Sequence, residues 1–287
     1  MVAVAAVDKF IQLTSGRVRY IEAGEGPPLL LVHGMGFSNG AHSYLPVLDR
    51  FAERFHCYAV DMLGFGMGDR DLTDAPTFDT IIDGFREFMD RMGVERAHYV
   101  GHSAGGWMGA IFAYESPHRI DKLVLLCSAG MNVEPSAGIG NAPSVPTLEQ
   151  VRERTLEQFL DASKADDAVI EPVAAASKAA ADRPNALASL NPLLHQMQTQ
   201  RIRNRYLIQR RLARITNPTM VVWGKGDVMD PYPTWTEEYE ALGGDMSQSV
   251  KPWVIPGAKY VLLPTGHSPH WEQPAETAQL IIDFLAS

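Results

Sequence analysis

Short apolar runs recur at regular intervals through the first third of the chain, and each has the length of a buried β-strand. The runs are RVRYIEA, PPLLLVH, FHCYAVD and AHYVGH. Between the last two, the segment TFDTIIDGFREFMDRMG has helical spacing and ends at Gly93. Five of its apolar side chains fall on one helix face, namely Ile81, Ile82, Phe85, Phe88 and Met89. This alternation predicts an α/β fold with a mostly parallel sheet, covered by helices on both faces.

The alternation continues with a helix over GGWMGAIFAYE, strands over KLVLLCS, PTMVVWG and AKYVLLP, and a closing helix over PAETAQLIIDFLA. It stops between Gly130 and about Arg214, where the sequence is rich in alanine and has a helical pattern without strands. We therefore predict an α/β core formed by residues 1–130 and 215–287, with a helical cap inserted over residues 131–214.

Composition and charge restrict the functions that such a fold can serve. The 287 residues are 46% hydrophobic and 21% charged, which is typical of a globular protein with a large core. Acidic residues outnumber lysine and arginine by 34 to 25, for a formal net charge of −9. Because binding to a phosphate backbone needs clustered positive charge, we expect no nucleic-acid partner.

The cysteines and the apolar stretches predict where the protein is found. Cys57 and Cys127 each lie inside an apolar run with no His or Cys at metal-ligand spacing, so we expect core residues in a reducing compartment. The opening MVAVAAV lacks the basic residues of a signal peptide, and no stretch approaches the roughly 20 apolar residues that cross a bilayer. We expect a cytoplasmic protein with no membrane partner, and the sequence leaves open whether it forms an oligomer.

The stretch VGHSAGG, at residues 100–106, carries the first candidate for chemistry. It contains the pattern G-x-S-x-G between a predicted strand and a predicted helix, where a sharp turn crowds the positions two before and two after the serine. Gly101 and Gly105 occupy those positions, so the hydroxyl of Ser103 would stand at the carboxyl edge of the sheet, above the amino end of a helix. We predict that Ser103 is a nucleophile. The alternative is a serine that only caps the helix.

A serine at neutral pH is a weak nucleophile and needs a general base. His267, in LLPTGHSPHWEQP, lies after a predicted strand and before the last helix and is the predicted base, with His270 as its nearest competitor. His102 belongs to the strand before Ser103, where its ring cannot turn back to the neighbouring hydroxyl, so we expect it to pack in the core. The other six histidines, His33 among them, are interpreted as structural or surface residues.

The base in turn needs a carboxylate that orients it. We expect this acid at the end of a strand between Ser103 and His267. Asp227 follows the strand in VVWGKGDVMDP and is the preferred residue. Asp230, three residues later, and Glu134, after the previous strand, are the alternatives. Asp227 and Asp230 would each also suit a Gly-rich turn without a catalytic role.

The fourth part of such a site is a pair of backbone NH groups that stabilise an oxyanion. Gly34, Met35 and Gly36 follow the strand PPLLLVH, and small residues there let backbone NH groups approach a substrate oxygen. The NH groups of Met35 and Ala104 are the predicted pair. The same glycines do not form the dinucleotide pattern G-x-G-x-x-G, because Asn39 interrupts it, so we expect no NAD.

Five stretches together resemble the α/β-hydrolase superfamily: LLLVHGMG, AVDMLGFGMGDR, VGHSAGGWMGAIFA, VVWGKGDVMDP and GHSPHWEQP. They cover the chain from about residue 15 to 130 and from 215 to its end, and the order Ser, Asp, His is that of these hydrolases. The resemblance implies an eight-stranded, mostly parallel sheet with a helical cap, and catalysis that uses no metal or organic cofactor. Ser103 stands where dehalogenases and epoxide hydrolases carry an aspartate, so we expect neither activity.

Within this superfamily the motif spacing resembles cofactor-free serine hydrolases with a helical cap. The predicted function is cleavage of a carboxylic ester, or a similar acyl bond, of a small and largely apolar substrate through an acyl-enzyme. The alternative is a carbon–carbon hydrolase of meta-cleavage products from aromatic degradation. Those hydrolases usually carry Asn before the nucleophile, Met or Phe after it and Trp after the base, where this chain has His102, Ala104 and Ser268. A lactonase, a perhydrolase, an acyltransferase and a non-catalytic small-molecule receptor also stay open.

Arginines crowd the end of the predicted cap, in a stretch from Arg183 to Gly226 that contains no Asp or Glu. Six of them are assigned to one predicted helix: Arg201, Arg203, Arg205, Arg210, Arg211 and Arg214. One interpretation is a clamp for an anionic substrate, such as a dienoate with a carboxylate. The other is a solvated helix face whose arginines pair with acidic residues elsewhere. The predicted substrate pocket consists of Gly34, Gly36, His102, Trp107, Arg210, Ser268 and Trp271.

Overall fold

The structure is a computed structural model that describes residues 6–70, 72, 76–131, 144–183, 185–229, 235–246, 249 and 254–287. One sheet of eight strands runs through these residues in the spatial order β1-β2-β4-β3-β5-β6-β7-β8. The strands are β1 (Val7–Leu13), β2 (Gly16–Ala23), β3 (Pro28–Val32), β4 (His56–Val60), β5 (Ala97–His102), β6 (Ile120–Leu126), β7 (Thr219–Gly224) and β8 (Lys259–Leu263).

Helices connect and cover the strands. They are α1 (Leu45–Ala52), α2 (Phe78–Arg91), α3 (Ala104–Glu115), α4 (Leu148–Leu156), α5 (Asp167–Ala181), α6 (Leu190–Gln198), α7 (Gln200–Tyr206), α8 (Gln209–Leu212), α9 (Trp235–Ala241), α10 (Pro269–Glu272) and α11 (Pro274–Ala286). Short 3₁₀ helices lie at Ala41–Tyr44, Pro117–Arg119 and Ala162–Lys164. In the described part of the chain, no helix is long and apolar enough to cross a bilayer.

Antiparallel pairing is confined to one edge of the sheet. β3 lies between β4 and β5, and β6, β7 and β8 follow β5, all in parallel register. β2 pairs antiparallel with both β1 and β4. The predicted α/β fold with a mostly parallel sheet is therefore confirmed.

The first strand, β1, was not among the sequence predictions. It lies at the edge of the sheet, and its burial pattern is exposed over most of its length, with Val7 and Phe10 about half exposed. Burial therefore imposes no apolar run on it. A two-residue turn at Thr14 and Ser15 returns the chain directly into β2.

The sheet separates two apolar layers, because successive side chains of a strand point to opposite faces. On β3, Leu29 and Leu31 face α1 and α11, whereas Leu30 and Val32 face α2 and α3. All five apolar side chains predicted for one face of α2 are buried, which confirms that prediction. With both faces covered, the loops at the carboxyl ends of the parallel strands are left as the place for a site.

Helices alone fill the described part of the predicted cap, from α4 to α8. α4 and α5 pack around Phe159 and the core residue Trp271, and the later helices join the main core through side chains such as Tyr206 and Leu212. The predicted boundaries of the cap stay a prediction, since residues 132–143 lie outside the described residues.

The six cap arginines do not share one helix, so that part of the prediction is wrong. α7 carries the first three of them, α8 carries the next two, and Arg214 follows α8. The chain leaves helical geometry at Leu207, whose ψ is 118°. Ile208 and Leu212, which follow this break, are both fully buried.

Candidate active site

Ser103 lies in the sharp turn between β5 and α3. Its backbone φ of 53° falls in the left-handed region that residues other than glycine rarely adopt. A β-carbon added to Gly101 would lie 2.5 Å from the carbonyl oxygen of Gly105, and one added to Gly105 would overlap the carbonyl oxygen of Val32. The turn has no room for a side chain at either position. In the described structure the Ser103 side chain makes no capping hydrogen bond to α3, so the capping alternative gains no support.

Gly101→Ala is expected to lower the free energy of unfolding by about 3 kcal/mol, because the atoms that its β-carbon would meet are backbone and cannot rotate away. The matched control is Gly84→Ala inside α2, where a β-carbon would meet only Leu13 Cδ1 at 3.8 Å. Alanine is the better helix former, so the control should gain up to about 1 kcal/mol. Urea denaturation followed by circular dichroism measures both. A Gly101→Ala protein as stable as the unmodified one would contradict the close packing of this turn.

His267 and Asp227 meet at the carboxyl ends of neighbouring strands. Asp227 follows β7 and His267 follows β8, and the two strands are paired in parallel register. His267 Nδ1 lies 2.8 Å from Asp227 Oδ2, and both residues are 4% exposed. The second carboxylate oxygen of Asp227 accepts a hydrogen bond from the backbone NH of Met229 at 3.0 Å. The carboxylate is therefore held on both oxygens.

This pairing fixes the proton on the His267 ring. A carboxylate can only accept, so Nδ1 donates its proton to Asp227 and Nε2 keeps a lone pair with which to accept a proton. In the described residues Ser103 Oγ makes no hydrogen bond to this ring, so the structure joins His267 to Asp227 but does not join Ser103 to His267. Catalytic hydrogen bonds are often long in the absence of substrate and tighten when it binds.

His102 and His270, the two histidines beside His267 in the structure, are buried and neutral. Burial holds the pKa of His102 well below its usual range and lowers that of His270 to about 3. The His102 ring lies 4.9 Å from that of His267 and 4.7 Å from that of His270, measured between centroids. Because His102 Nε2 faces the backbone oxygen of His267 at 2.9 Å, it donates a proton there. The geometry thus favours His267 over His270 as the residue paired with an acid. The alternative acids Asp230 and Glu134 lie outside the described residues.

The loop that carries the predicted oxyanion donors lies directly beside Ser103. A β-carbon added to Gly34 would be 3.0 Å from the Ser103 β-carbon. His33, interpreted from the sequence as structural or surface, is fully buried and fixes this loop: its Nε2 accepts from the backbone NH of Met62 at 2.9 Å, and its Nδ1 donates to the Gly34 oxygen at 2.7 Å. Burial lowers the pKa of His33 to about 4. The roles of the Met35 and Ala104 NH groups stay a prediction.

Asp61, at the end of β4, supports the same region and was not predicted from the sequence. Its carboxylate accepts from the backbone NH of Ala41 at 2.6 Å and from that of Met67 at 2.7 Å. Burial raises its pKa to about 6, and the backbone NH donors oppose this rise. The one sequence hint was its place directly after an apolar strand and before the glycine-rich stretch MLGFGMG.

Three other residues of the predicted pocket have buried side chains. The Trp107 and Trp271 rings are buried, and their indole NH groups donate to the backbone oxygens of Tyr206 and Ser43, respectively. Ser268 Oγ donates to Gln158 Oε1 at 2.8 Å. Contact of these side chains with substrate stays a prediction.

The described cap arginines fit a solvated face better than a clamp. Arg210 and Arg214 are exposed on and after α8. Arg205 pairs with Asp79 at 2.6 Å, and Arg211 donates to the backbone oxygens of Leu207 and Arg205. None of these contacts leads toward Ser103. The clamp interpretation, in which Arg210 binds an anionic group, therefore gains no contact that supports it.

A third atom that could ligate a metal lies next to Asp227 and His267. Cys127 Sγ, a carboxylate oxygen of Asp227 and a ring nitrogen of His267 lie within 4.8 Å of one another. These donor types bind zinc in proteins. Here, however, the hydrogen bond between His267 and Asp227 already occupies the facing atoms, which suits proton transfer. Both cysteines are buried and free of disulfides, as expected of core residues.

Comparison with known proteins decides the family. A model described as the alpha/beta hydrolase family matches residues 29–280. The chain belongs to this family. The resemblance that the motifs predicted is confirmed, and as a member of the family the protein is an enzyme of the hydrolase type.

Three known hydrolases are similar to this chain in sequence or in structure. The chain is 27% identical to the 2-hydroxy-6-oxononadienedioate/2-hydroxy-6-oxononatrienedioate hydrolase of Paraburkholderia phymatum, over 98% of this chain and 96% of the relative. It matches the structure of the 2-hydroxy-6-oxo-6-phenylhexa-2,4-dienoate hydrolase of Rhodococcus sp. strain RHA1 with a TM-score of 0.81, at 20% identity over 99% of this chain and 100% of the other. The match to a carboxylesterase of Bacillus subtilis has a TM-score of 0.75, at 18% identity over 98% and 92%. The two structural matches show a shared fold.

Proposed function

We propose that this hydrolase cleaves a carboxylic ester, or a similar acyl bond, of a small and largely apolar molecule. In this proposal Ser103 is the nucleophile, His267 the general base and Asp227 the acid that orients the base. The observation that carries it is the buried hydrogen bond of 2.8 Å between His267 and Asp227, at the same edge of the sheet as the turn that holds Ser103.

In the first step, Ser103 Oγ forms a bond to the carbonyl carbon while its proton passes to Nε2 of His267. The carbonyl oxygen becomes an oxyanion, which the NH groups of Met35 and Ala104 stabilise as donors. The Asp227 carboxylate stabilises the imidazolium that forms. His267 then gives its proton to the departing alkoxide, which leaves as an alcohol, and the acyl group stays on Ser103.

In the second step, water takes the place of the alcohol. His267 removes a proton from the water, whose oxygen attacks the acyl carbon, and the same two NH groups hold the oxyanion. Collapse of this intermediate breaks the bond to Ser103 Oγ, which takes the proton back from His267. The products are a carboxylic acid and the unmodified enzyme.

Carbon–carbon hydrolysis of a ring-fission dienoate is the second candidate. One observation favours it: a relative that aligns with 98% of this chain carries the name of a dienedioate hydrolase. The positions of the cap arginines favour it less, because Arg205 is engaged by Asp79 and Arg210 is exposed to solvent. His102, Ala104 and Ser268 also depart from the residues usual in those enzymes. We therefore rank ester cleavage first.

Two further proposals concern the helical cap and the cellular location of the protein. We propose that residues 131–214 form the cap over the site, supported by the all-helical character of their described part. We also propose a cytoplasmic location, supported by the two buried cysteines that carry no disulfide.

A substrate panel tests the choice between the two reactions. We expect kcat/KM for at least one short p-nitrophenyl ester to exceed that for a ring-fission dienoate by more than about tenfold, because a neutral ester needs no cationic clamp. Lactones complete the panel, and a fluorophosphonate is expected to label Ser103 and stop turnover. Rapid bleaching of the dienoate without ester turnover would establish the second candidate instead. Absence of both turnover and labelling would point to a small-molecule receptor.

A further inference from the structure

A second buried carboxylate, Glu272, lies close to the proposed base and has no part in the mechanism above. It ends the short helix α10, and its side chain is fully buried. Glu272 Oε2 accepts from the backbone NH of Gly266 at 2.8 Å and from that of Leu160 at 2.9 Å. Its Oε1 accepts from the backbone NH of Asp161 at 3.1 Å. One side chain thus joins the residue before His267 to two residues of the predicted cap.

The cap segment 158–161 packs closely on the loop that carries His267. A β-carbon added to Gly266 would lie 2.7 Å from the backbone nitrogen of Leu160, so the two backbones are in direct contact. The backbone NH of Ser268 donates to the Gln158 oxygen at 3.3 Å, and its hydroxyl donates to the Gln158 side chain at 2.8 Å. Ser268, directly after His267, is therefore hydrogen-bonded to this segment, and Gly266, directly before His267, packs against it.

The same segment also reaches the loop of the proposed acid. A β-carbon added to Gly226, the residue before Asp227, would lie 2.5 Å from Leu160 Cδ1. Leu160 therefore covers the turn from which Asp227 emerges. The segment 158–161 contacts both loops whose side chains form the hydrogen bond between His267 and Asp227.

The chemistry of this contact calls for a carboxylate. Three backbone NH groups point at two oxygens, and a carboxylate offers acceptors only. Glutamine has the same shape but replaces one oxygen with an NH₂ group, which would face an NH donor. A buried donor without an acceptor is unfavourable, so the loops would move apart to find water. Among the described residues, the cation close to Glu272 is the exposed Lys164, with its Nζ 3.8 Å from Oε1.

We propose that Glu272 is a positioning residue that couples the cap segment 158–161 to the proposed base. Through the Gly266 NH it holds the His267 loop against Asp227, and through the Leu160 and Asp161 NH groups it makes that position depend on where the cap lies. The proposal deepens the proposed function and rests on it for the role of His267.

Glu272→Gln tests this role by kinetics and by proton NMR. We expect kcat for a short p-nitrophenyl ester to fall by about 10- to 100-fold, as for a misplaced catalytic group, with KM changed by less than about threefold. The far-downfield resonance of the proton between His267 and Asp227 is expected to broaden or vanish. Glu22→Gln is the matched control, because Glu22 is another hydrogen-bonded carboxylate, held by Lys9 and His56 at the opposite edge of the sheet. It should keep both kcat and the resonance.

A Glu272→Gln protein that is less stable yet keeps the kcat and the resonance of the unmodified enzyme would overturn the proposal and leave Glu272 with a structural role only. If Glu272→Gln does not fold, Glu272→Asp replaces it: the charge is kept, but the carboxylate is one methylene shorter, and a smaller loss of kcat and of the resonance is expected. Unchanged values in that variant would equally overturn the proposal. The resonance needs no substrate, so it tests the positioning even if the enzyme proves inactive on every ester and the proposed function fails.

Discussion

Ser103→Ala is expected to reduce the turnover of a p-nitrophenyl ester by about 10⁶-fold, close to the limit seen when the nucleophile of a serine hydrolase is removed. The alanine methyl group cannot form the acyl-enzyme, so both steps of the proposed mechanism disappear together. The fold should be retained, because the left-handed φ of 53° is already strained for serine and alanine adds no atom to the turn. Stopped-flow measurement of p-nitrophenol release, with thermal unfolding as a check of the fold, gives both quantities.

Ser116→Ala is the matched control for this experiment. Ser116 is a buried serine that follows the opposite end of the same helix α3, where its hydroxyl accepts from Arg86 Nε at 3.1 Å. Its replacement should leave kcat within about threefold of the unmodified enzyme, since no atom of the site is touched. If the Ser103→Ala enzyme still turned over the ester while treatment with a fluorophosphonate stopped turnover, another residue would be the nucleophile. That result would contradict the proposed mechanism.

Asp227→Asn is expected to lower kcat by about 10⁴-fold with little change of structure. The reason is the proton on the His267 ring. In the native protein Nδ1 donates to the carboxylate across 2.8 Å, which leaves Nε2 to accept the proton of Ser103. An asparagine that presents its NH₂ group to Nδ1 would stabilise the opposite tautomer, with the proton on Nε2 and no lone pair for the nucleophile. The asparagine oxygen can keep its bond to the Met229 NH, so the loop should remain in place.

The rate at which a fluorophosphonate labels Ser103 should fall in the same variant, because labelling also needs the base. Asp90→Asn makes the same chemical change at an exposed carboxylate that pairs with Arg119 at 2.8 Å, far along α2 from the site. That control should label and turn over at the native rate. Native activity in Asp227→Asn would show that another acid, such as Asp230 or Glu134, orients the base.

The strands and the turn at Ser103 could be predicted from the sequence because each depends on a local pattern. Strands buried on both faces need continuous apolar runs, and the turn needs two glycines at fixed positions. Elements without such a pattern were missed. β1 is an exposed edge strand, and the helix α9 has the sequence WTEEYEA, which is too short and too charged to show an apolar face.

The support of the site could not be predicted, because it consists of side chains bonded to distant backbone. His33 accepts from an NH group 29 positions away, Asp61 from one 20 positions away and Glu272 from one 112 positions away. A backbone NH is present at every residue except proline, so no sequence pattern identifies which one a buried acceptor will meet. Only the folded arrangement of strands and loops brings these pairs together.

The parallel pairing of β3 with β5 has a consequence for how this enzyme can diverge. Val32 lies opposite Gly101, so the loop of the predicted oxyanion donors and Ser103 leave adjacent strands at the same level of the sheet. Their separation is set by backbone hydrogen bonds, which mutations of side chains elsewhere do not remove. Over evolutionary time the helices of the predicted cap can therefore change and accept a different substrate, while the distance between Ser103 and the predicted oxyanion donors is inherited unchanged.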